Sequence, residues 1–326
     1  MLVDRFNRKI NYLRISLTDR CNLRCMYCMP AEGEKKLMHR EILRYEELLR
    51  IVRIAVKLGI DKIRLTGGEP FVRKGIENFI PMLTAIDGIN DVSVTTNGVL
   101  LSEYLDILWA SGIKRLNISI DSLNQATFRD ITRFDYFDRV LSGIEKARDM
   151  GFYPIKLNMV VIKGINDGEI LDFGRLSIEQ PYHIRFIEYM PIGLDSKNSN
   201  FISNSNIKST LVNNLGPMSP ILQGKYDGPA KKFKFLGGKG EIGFISAISS
   251  SFCSACNRLR LTADGKILPC LLSNIETDIR EPLRRGCLDE ILIKIFQDAV
   301  RLKPKSHPLN LEGNQRVHRK MCSIGG

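Results

Sequence analysis

Residues 13–28 have the sequence Leu-Arg-Ile-Ser-Leu-Thr-Asp-Arg-Cys-Asn-Leu-Arg-Cys-Met-Tyr-Cys. The first five residues are apolar at alternate positions, which predicts a strand, and the polar residues after them predict a loop. The loop carries three cysteines with C-x3-C-x2-C spacing, which can ligate three irons of a [4Fe–4S] cluster and leave the fourth iron open. A zinc site would need a fourth ligand nearby. The closest histidine, His39, lies eleven residues beyond Cys28.

Strand-like and helix-like segments alternate from this loop to about residue 190. We predict strands at Leu13–Leu17, Ile63–Thr66, Val92–Thr95, Leu116–Ile120, Ile155–Val161 and Ile184–Glu188. Apolar residues recur at helical spacing between them, and glycines stand where the helices should end. Such alternation predicts parallel strands joined by right-handed crossovers.

Polar residues gather at the carboxyl ends of these predicted strands, as at residues 66–69 and 95–97. Barrel enzymes place their chemistry at this rim, so we predict an α/β fold with an incomplete (βα)6 TIM-type barrel. Any single one of these residues can equally be a turn former. After about residue 215 glycine and proline become frequent. We therefore predict a barrel domain at 1–215 and a smaller C-terminal α+β domain at 216–326, with a helix near Asp289–Arg301.

A second group of three cysteines, Cys253, Cys256 and Cys270, lies in the C-terminal part. Like the first group, it has no obvious fourth ligand and can hold a cluster with one open iron. A zinc ribbon completed by Cys287 is the structural alternative. Because the chain shows neither a signal peptide nor a long apolar segment, we expect a cytoplasmic protein without a membrane partner. Clustered cysteines in that compartment are more often ligands than disulfides.

The net charge of +12 over 326 residues indicates an anionic partner. A zinc-containing nucleic-acid-binding module is one explanation. However, the basic residues are scattered among 36 acidic ones, without a recognition motif or a stripe of basic and aromatic residues. We therefore expect no nucleic-acid partner.

The cysteine loop resembles the signature of radical S-adenosylmethionine (SAM) enzymes, and Gly-Gly-Glu-Pro at 67–70 is similar to a second motif of that superfamily. The resemblance implies a [4Fe–4S] cluster on Cys21, Cys25 and Cys28, whose open iron binds SAM and cleaves it to a 5′-deoxyadenosyl radical. It also implies SAM contacts. These are expected from Tyr27, the backbone of Gly68 and Glu69, Ser119 and Met190.

The second cysteine block, Phe-Cys-Ser-Ala-Cys-Asn-Arg-Leu-Arg at 252–260 with Cys270, resembles the GTP 3′,8-cyclase family. The resemblance covers nearly the whole chain, including the terminal Gly-Gly, and is weaker at 71–74 and 196–235. It implies a second [4Fe–4S] cluster on Cys253, Cys256 and Cys270 that binds the guanine of GTP. It further implies a lyase that converts GTP to (8S)-3′,8-cyclo-7,8-dihydroguanosine 5′-triphosphate, the first step of molybdenum cofactor biosynthesis.

No phosphate-loop motif occurs in the chain, so a bound triphosphate would need Arg and Lys side chains. The resemblance supplies the candidates: Arg14, Arg64, Thr95, Lys156, Arg185, Arg258 and Arg260. It assigns catalytic roles to Arg14, Arg258 and Arg260 and to a tail, Gly325 and Gly326, that reaches the active site. A frayed terminus is the alternative for the tail.

Partners also follow from the resemblance, namely an electron donor and a downstream cyclic pyranopterin monophosphate synthase. A homodimer is the default expectation for such an enzyme. The alternative function is a radical SAM peptide-modifying maturase with an auxiliary cluster.

Overall fold

The computed structural model describes residues 1–190, 192, 200–224, 227–307, 317 and 319–325. An N-terminal hairpin, β1 (Leu2–Val3) and β2 (Lys9–Ile10), precedes the main sheet. The parallel strands of the first part are β3 (Tyr12–Ser16), β4 (Lys62–Thr66), β5 (Asp91–Thr96), β6 (Leu116–Ser119), β7 (Ile155–Val161) and β8 (Tyr182–Glu188). Each observed strand starts and ends within two residues of its predicted bounds.

Helices connect these strands. They are α1 (Tyr45–Lys57), α2 (Ile76–Thr84), α3 (Leu101–Ala110), α4 (Gln125–Thr132), α5 (Phe137–Asp149) and α6 (Ile170–Glu179). The first helix shows why they form: Glu47 accepts a hydrogen bond from Arg44 N at 2.6 Å and so caps the helix start. Buried residues of the same helix, among them Leu48, Ile51, Val52 and Ala55, follow helical spacing. They cover the apolar face of the sheet.

The remaining elements follow β8 in the chain. They are α7 (Asn204–Leu215), β9 (Met218–Pro220), β10 (Lys231–Phe235), β11 (Glu241–Ile245), β12 (Arg258–Leu261), β13 (Lys266–Leu268), β14 (Thr277–Asp278), α8 (Arg280–Arg284), α9 (Asp289–Arg301) and α10 (Met321–Ile324). The predicted helix at Asp289–Arg301 is therefore confirmed. None of the helices among the described residues combines the length and the apolar character needed to cross a membrane.

All strands after the first hairpin belong to one twelve-stranded sheet, in the order β14-β13-β12-β3-β4-β5-β6-β7-β8-β11-β10-β9. The six consecutive parallel strands confirm the expected α/β class. Strands of the last third extend both edges, because β12 pairs with β3 and β11 pairs with β8, both in parallel. No pairing among the described strands joins the two ends of the sheet, so they do not form a closed barrel. The domain boundary at residue 215 stays a prediction.

Gly240 shows how closely β11 approaches β8. A Cβ atom on Gly240 would overlap the carbonyl oxygen of Tyr182, and Gly240 N donates to Ser177 O at 2.8 Å. We expect Gly240→Ala to lower the free energy of unfolding by about 1–3 kcal/mol, because backbone must move to admit the methyl group. Denaturant unfolding followed by circular dichroism measures the change.

Gly168→Ala is the matched control for this substitution, since a Cβ on Gly168 meets nothing within 4 Å. It should change the unfolding free energy by less than about 0.5 kcal/mol. Equal unfolding midpoints for the two variants would contradict the packing argument at Gly240.

Candidate active site

Cationic side chains form rows across the polar face of the sheet. The strand register sets Arg260 of β12 opposite Arg14 of β3, and Arg14 opposite Arg64 of β4. Residues two positions apart in a strand share a face, so the adjacent row is Arg258, Tyr12 and Lys62. One cavity lies against this face, and eight strands or their ends contribute to its wall. Its lining includes Tyr12, Arg14, Arg64, Thr95, Ser119, Asn158, Arg185, Met190, Ile245, Arg258 and Arg260.

The cations of this face lie close enough to affect one another. Lys156 is only 5% exposed, and this burial is the main cause that lowers its pKa to about 6. The positive charges of Arg185 and Arg64 are the next largest causes. Burial likewise lowers the pKa of Arg185 and of Arg260 to about 10 in each case. Clustered buried cations of this kind are costly unless an anion accompanies them. The site is therefore suited to a polyanionic ligand.

Two buried hydroxyl groups in the cavity wall also fit a polar ligand. Tyr12 Oη and Thr95 Oγ1 have no hydrogen-bond partner within the part of the chain that the structure describes. Burial alone would raise the pKa of Tyr12, but Arg64, Arg14 and other nearby cations lower it to about 8. Unpaired buried polar atoms are uncommon and mark places where a ligand supplies the partner.

The loop with the first cysteine group is clamped against the Gly-Gly-Glu turn that follows β4. Gly68 N donates to Thr18 O at 2.7 Å, and Glu69 N donates to Arg20 O at 2.8 Å. A Cβ on Gly68 would overlap Arg20 O, so only glycine permits this approach. The clamp uses the amide groups of the turn. The carbonyl oxygen of Glu69 accepts from Val72 N at 3.3 Å and keeps a second lone pair for the SAM contact expected there.

Glu69 positions this turn through its side chain. The fully buried carboxylate accepts hydrogen bonds from Thr96 Oγ1 at 2.8 Å, Asn97 N at 2.7 Å and Phe71 N at 3.2 Å. Burial raises the pKa of Glu69 to about 7, against the effect of these donors. The side chain therefore ties the end of β4 to the end of β5.

The surroundings of the Cys21, Cys25 and Cys28 thiols suit ligands of a metal cluster. Burial raises the pKa of Cys21 to about 12, although Leu23 N at 3.4 Å and Asn97 Nδ2 at 3.6 Å donate hydrogen bonds to its sulfur. Burial, followed by the charge of Asp121, raises the pKa of Cys25, and the interaction with Cys322, followed by burial, raises the pKa of Cys28. Such thiols become thiolates when bound cations offset their charge.

The other three expected SAM contacts lie near this loop or in the cavity wall. Tyr27 Oη donates to Asp121 Oδ2 at 2.7 Å, and the second oxygen of Asp121 accepts from Val160 N at 2.8 Å. This fixes the ring of Tyr27 beside the cysteines. Ser119, at the end of β6, and Met190, after β8, both line the cavity.

The second cysteine group lines the same cavity, close to the start of β12. Cys253 begins a short 3-10 helix, Cys253–Ala255, Cys256 follows that helix directly, and Cys270 follows β13. Burial would raise the pKa of Cys256, but Arg258 and Lys303 lower it to about 6, so this thiol ionises readily. Lys303 is held there by Arg258 O at 2.8 Å and Pro269 O at 2.6 Å. This donor set fits a second cluster.

Neither cysteine group has the geometry of a mononuclear zinc site. In the described ranges, no three His, Cys, Asp or Glu side chains are close enough to bind a single metal ion. Cys287 instead packs against the main hydrophobic core, and its carbonyl oxygen accepts from Arg50 Nη2 at 2.6 Å. The zinc-ribbon alternative therefore has no support in the fold.

The C-terminal tail enters the site. Gly325 O accepts hydrogen bonds from Arg260 Nη1 and, at 3.5 Å, from Arg14 Nη2. The described tail is therefore docked on the cation row, contrary to a frayed terminus. The other expected tail residue, Gly326, lies outside the described residues.

The sequence analysis missed several residues of the site, among them Tyr12, Lys62, Asp121 and Cys322. Lys62 is buried, and its Nζ lies 4.7 Å from the ring centroid of Tyr12. It stands two residues before Arg64 on the same strand, and this spacing could have indicated that the two side chains share a face. Asp121, which orients Tyr27, directly follows the predicted strand Leu116–Ile120, and this place at the carboxyl end of a strand is the signal that could have found it. Cys322 lies beside Cys28, and nothing local in the sequence indicates this.

Comparisons with known proteins agree with this geometry. A model of the radical SAM superfamily matches residues 15–176, and one described as Molybdenum Cofactor Synthesis C matches residues 182–309. A GTP 3′,8-cyclase of Thermodesulfovibrio yellowstonii is 50% identical over 325 residues, 99% of each chain. One of Desulforamulus reducens is 49% identical over 327 residues and the full length of both chains. Among solved structures, Streptococcus suis SuiB superposes with a TM-score of 0.62 at 17% identity, over 90% of this chain and 69% of SuiB, which shows a shared fold.

Proposed function

The chain belongs to the GTP 3′,8-cyclase family within the radical SAM superfamily, and on that premise we propose a reaction for it. It converts GTP to (8S)-3′,8-cyclo-7,8-dihydroguanosine 5′-triphosphate, the first step of molybdenum cofactor biosynthesis. The observation that carries the proposal is the wall of buried cations, which faces the second cysteine group across one cavity. A nucleoside triphosphate has both the anionic chain and the base that such a cavity accommodates.

Arginine and lysine take the place of a phosphate loop in this proposal. Arg14, Arg64 and Arg260 lie in one row and offer guanidinium forks to phosphate oxygens. Lys156, Arg185 and Arg258 add charge from the neighbouring strands. Thr95 donates its unpaired hydroxyl to the nucleotide. The guanine lies toward Cys253, Cys256 and Cys270.

SAM binds at the first cysteine group. When bound, that cluster and SAM supply the 5′-deoxyadenosyl radical that takes hydrogen from the ribose 3′ carbon. The backbone of Gly68 and Glu69 holds the SAM amino group, while Tyr27, Ser119 and Met190 enclose its adenosine. The chain's own contribution is to fix the 3′ carbon within reach, since small errors in position are costly in rate.

A peptide-modifying activity fits this cavity less well. Peptide backbone is uncharged and would leave Arg185 and Arg260 buried without a paired carboxylate, and Lys156 with Asp227 at 4.0 Å as its ion-pair partner. A triphosphate satisfies all three. The likeness to SuiB concerns the fold alone.

Turnover with labelled GTP tests the proposal. Anaerobically reconstituted protein is incubated with 3′-deuterated GTP, SAM and dithionite, and products are followed by mass spectrometry. We expect GTP-dependent 5′-deoxyadenosine that carries deuterium, together with a product of the same elemental composition as unlabelled GTP that contains the new 3′,8 bond. Iron analysis should give about eight iron atoms per chain.

Cys253→Ala is the control for the second cluster. It should hold about half the iron and lose the cyclised product, while the first cluster still cleaves SAM slowly. Formation of 5′-deoxyadenosine that is unaffected by GTP in the wild-type protein would refute the proposed substrate.

GTP binding is expected to take up a proton through Lys156. With a pKa of about 6, this amine is mostly neutral at pH 7.5, and an adjacent phosphate raises its pKa so that it becomes charged. Titration calorimetry at pH 7.5 in two buffers of different ionisation enthalpy should detect an uptake of up to about one proton.

Lys156→Arg should lose most of this uptake, because its guanidinium is charged before GTP binds. Tyr12→Phe is the matched control, since Tyr12, with a pKa of about 8, is a smaller source of uptake at this pH. An undiminished uptake in Lys156→Arg would exclude Lys156 as the acceptor.

The reaction implies partners that we propose on chemical grounds. Reductive cleavage of SAM consumes one electron, and the cyclised nucleotide radical takes up a second electron and a proton to give the dihydro product, so a reduced electron-transfer protein serves as donor. The product is a cyclised nucleotide, which the downstream cyclic pyranopterin monophosphate synthase consumes. We place the enzyme in the cytoplasm, where ligand thiols stay reduced, and propose a homodimer, the commonest oligomer.

A further inference from the structure

The side chain of Lys303 joins two segments that carry cysteines of the second group. Its Nζ donates to Arg258 O at 2.8 Å and to Pro269 O at 2.6 Å, and the residue is only 2% exposed. Arg258 begins β12, two residues after Cys256. Pro269 directly precedes Cys270. Lys303 therefore holds the chain beside Cys256 at a fixed distance from the chain beside Cys270.

The remaining cysteine of this group is held by Arg8, a buried residue of the N-terminal hairpin. Arg8 Nη1 donates to Cys253 O at 2.6 Å. The same guanidinium group also holds the chain just after α9, through Pro304 O at 2.6 Å and Lys305 O at 3.1 Å. Its Nε donates to the buried carboxylate of Asp4 at 2.5 Å, which fixes its orientation. Each cysteine of the second group therefore has a buried cation bonded to its own carbonyl group or to one within two residues.

The positive charge of Lys303 also favours a bound cluster. The hydrogen-bond partners that the structure describes for its ammonium group are two neutral carbonyl oxygens. Such oxygens offset a buried positive charge only in part, and the remaining cost falls when negative charge arrives nearby. The thiolates of Cys256 and Cys270 bring that charge when they bind a cluster.

We propose that Lys303 and Arg8 are positioning residues that hold the second cysteine group at the spacing of a cluster before the cluster binds. The inference rests on the proposed function only in that Cys253, Cys256 and Cys270 bind a cluster. Ligands that are already in place lose little conformational entropy on binding, so such a site retains its cluster longer. The first cysteine group is held instead by the Gly-Gly-Glu turn, so the two sites should respond separately.

The test measures how fast an iron(II) chelator removes each cluster from Lys303→Met, Arg8→Lys and the wild-type protein, all reconstituted with both clusters. Electron paramagnetic resonance after reduction follows the two clusters, and the signal that SAM alters belongs to the first. We expect Lys303→Met to lose the second cluster about ten- to a hundredfold faster, because two hydrogen bonds from a charged donor are removed. Arg8→Lys keeps a charge for Asp4 but loses the fork, so about a three- to tenfold faster loss is expected. The first cluster should leave both variants at the wild-type rate.

Hydrogen exchange of the full-length protein before reconstitution tests whether the residues act before the cluster binds. The backbone amides of 253–258 and 270–272 should exchange about tenfold faster in Lys303→Met than in the wild-type protein. Equal exchange in the two proteins would contradict a site that is held in advance.

Arg284→Met is the matched control, because Arg284 also donates to backbone carbonyl groups, those of Arg40 and Ile42, in a part of the chain without cluster cysteines. It should leave both rates of cluster loss within about twofold of wild type. Unchanged loss of the second cluster in Lys303→Met and Arg8→Lys overturns the proposal. Equally faster loss of both clusters also overturns it, by showing a general loss of stability. The measurements use no GTP, so their outcome is independent of whether GTP is the substrate.

Discussion

Replacing Arg260 with alanine is expected to lower kcat/KM for GTP by roughly a hundred- to a thousandfold, the largest effect of any single cation in the site. Arg260 is buried at one end of the row, next to Arg14, and it also holds the tail through Gly325 O. Its loss removes a guanidinium fork from the triphosphate and releases the tail at the same time. GTP consumption under anaerobic steady-state conditions measures the change.

Variants on β12 and on the neighbouring β13 separate the contribution of the Arg260 guanidinium fork from that of its positive charge. Arg260→Lys keeps the charge but loses the fork, so its activity should lie between those of wild type and Arg260→Ala. Lys266→Met on neighbouring β13 is the matched control, because that lysine pairs with Asp278 and does not line the cavity. Nearly wild-type kcat/KM in Arg260→Ala, with intact iron content, would remove Arg260 from the nucleotide site.

Gly325→Ala is expected to lower kcat about a hundredfold while the iron content stays unchanged. Gly325 has φ +68°, in the region that favours glycine, and a Cβ there would lie 2.7 Å from Thr66 Cγ2. The substitution therefore pushes the tail away from Arg14 and Arg260. Single-turnover assays at saturating GTP measure the chemical step without the contribution of binding.

Two further variants test this steric argument. Gly286→Ala has the same kind of strain, φ +73°, but meets nothing within 4 Å, so it should leave kcat unchanged. Thr66→Ser removes the methyl group that the new Cβ meets, and in the double variant it should recover part of the lost activity. If Gly325→Ala turns over at the wild-type rate, docking of the tail has no part in catalysis.

The sequence predicts the local parts of this fold well, because strands and helices leave periodic patterns in it. Ile155–Val161 and Asp289–Arg301 have the bounds that the patterns predict. The six cysteines that we propose as cluster ligands were predicted from their spacing and from family resemblance. Contacts between distant segments leave no such pattern, so the pairing of β12 with β3 was not foreseen, and neither was the ion pair of Lys320 with Glu34.

The charged residues of the site also divide into features that the sequence predicts and features that only the structure shows. Resemblance identified Arg14, Arg64 and Arg260 as binding residues, but only the strand register shows that they form one row. The lowered pKa of Lys156 depends on burial and on cations from other strands. Neither the burial of a side chain nor its distance from cations on other strands can be obtained from a residue and its sequence neighbours alone.

The pairing of β12 with β3 has a consequence for how a cell makes this protein. During translation β3 leaves the ribosome early, while its partner Arg258–Leu261 is synthesised more than 240 residues later. Until then one edge of the nascent sheet is open, and such edges attract other chains. The wall of the nucleotide cavity is likewise incomplete. We therefore expect iron–sulfur assembly at the second cysteine group to follow release of the chain, with the open edge protected by chaperones in the meantime.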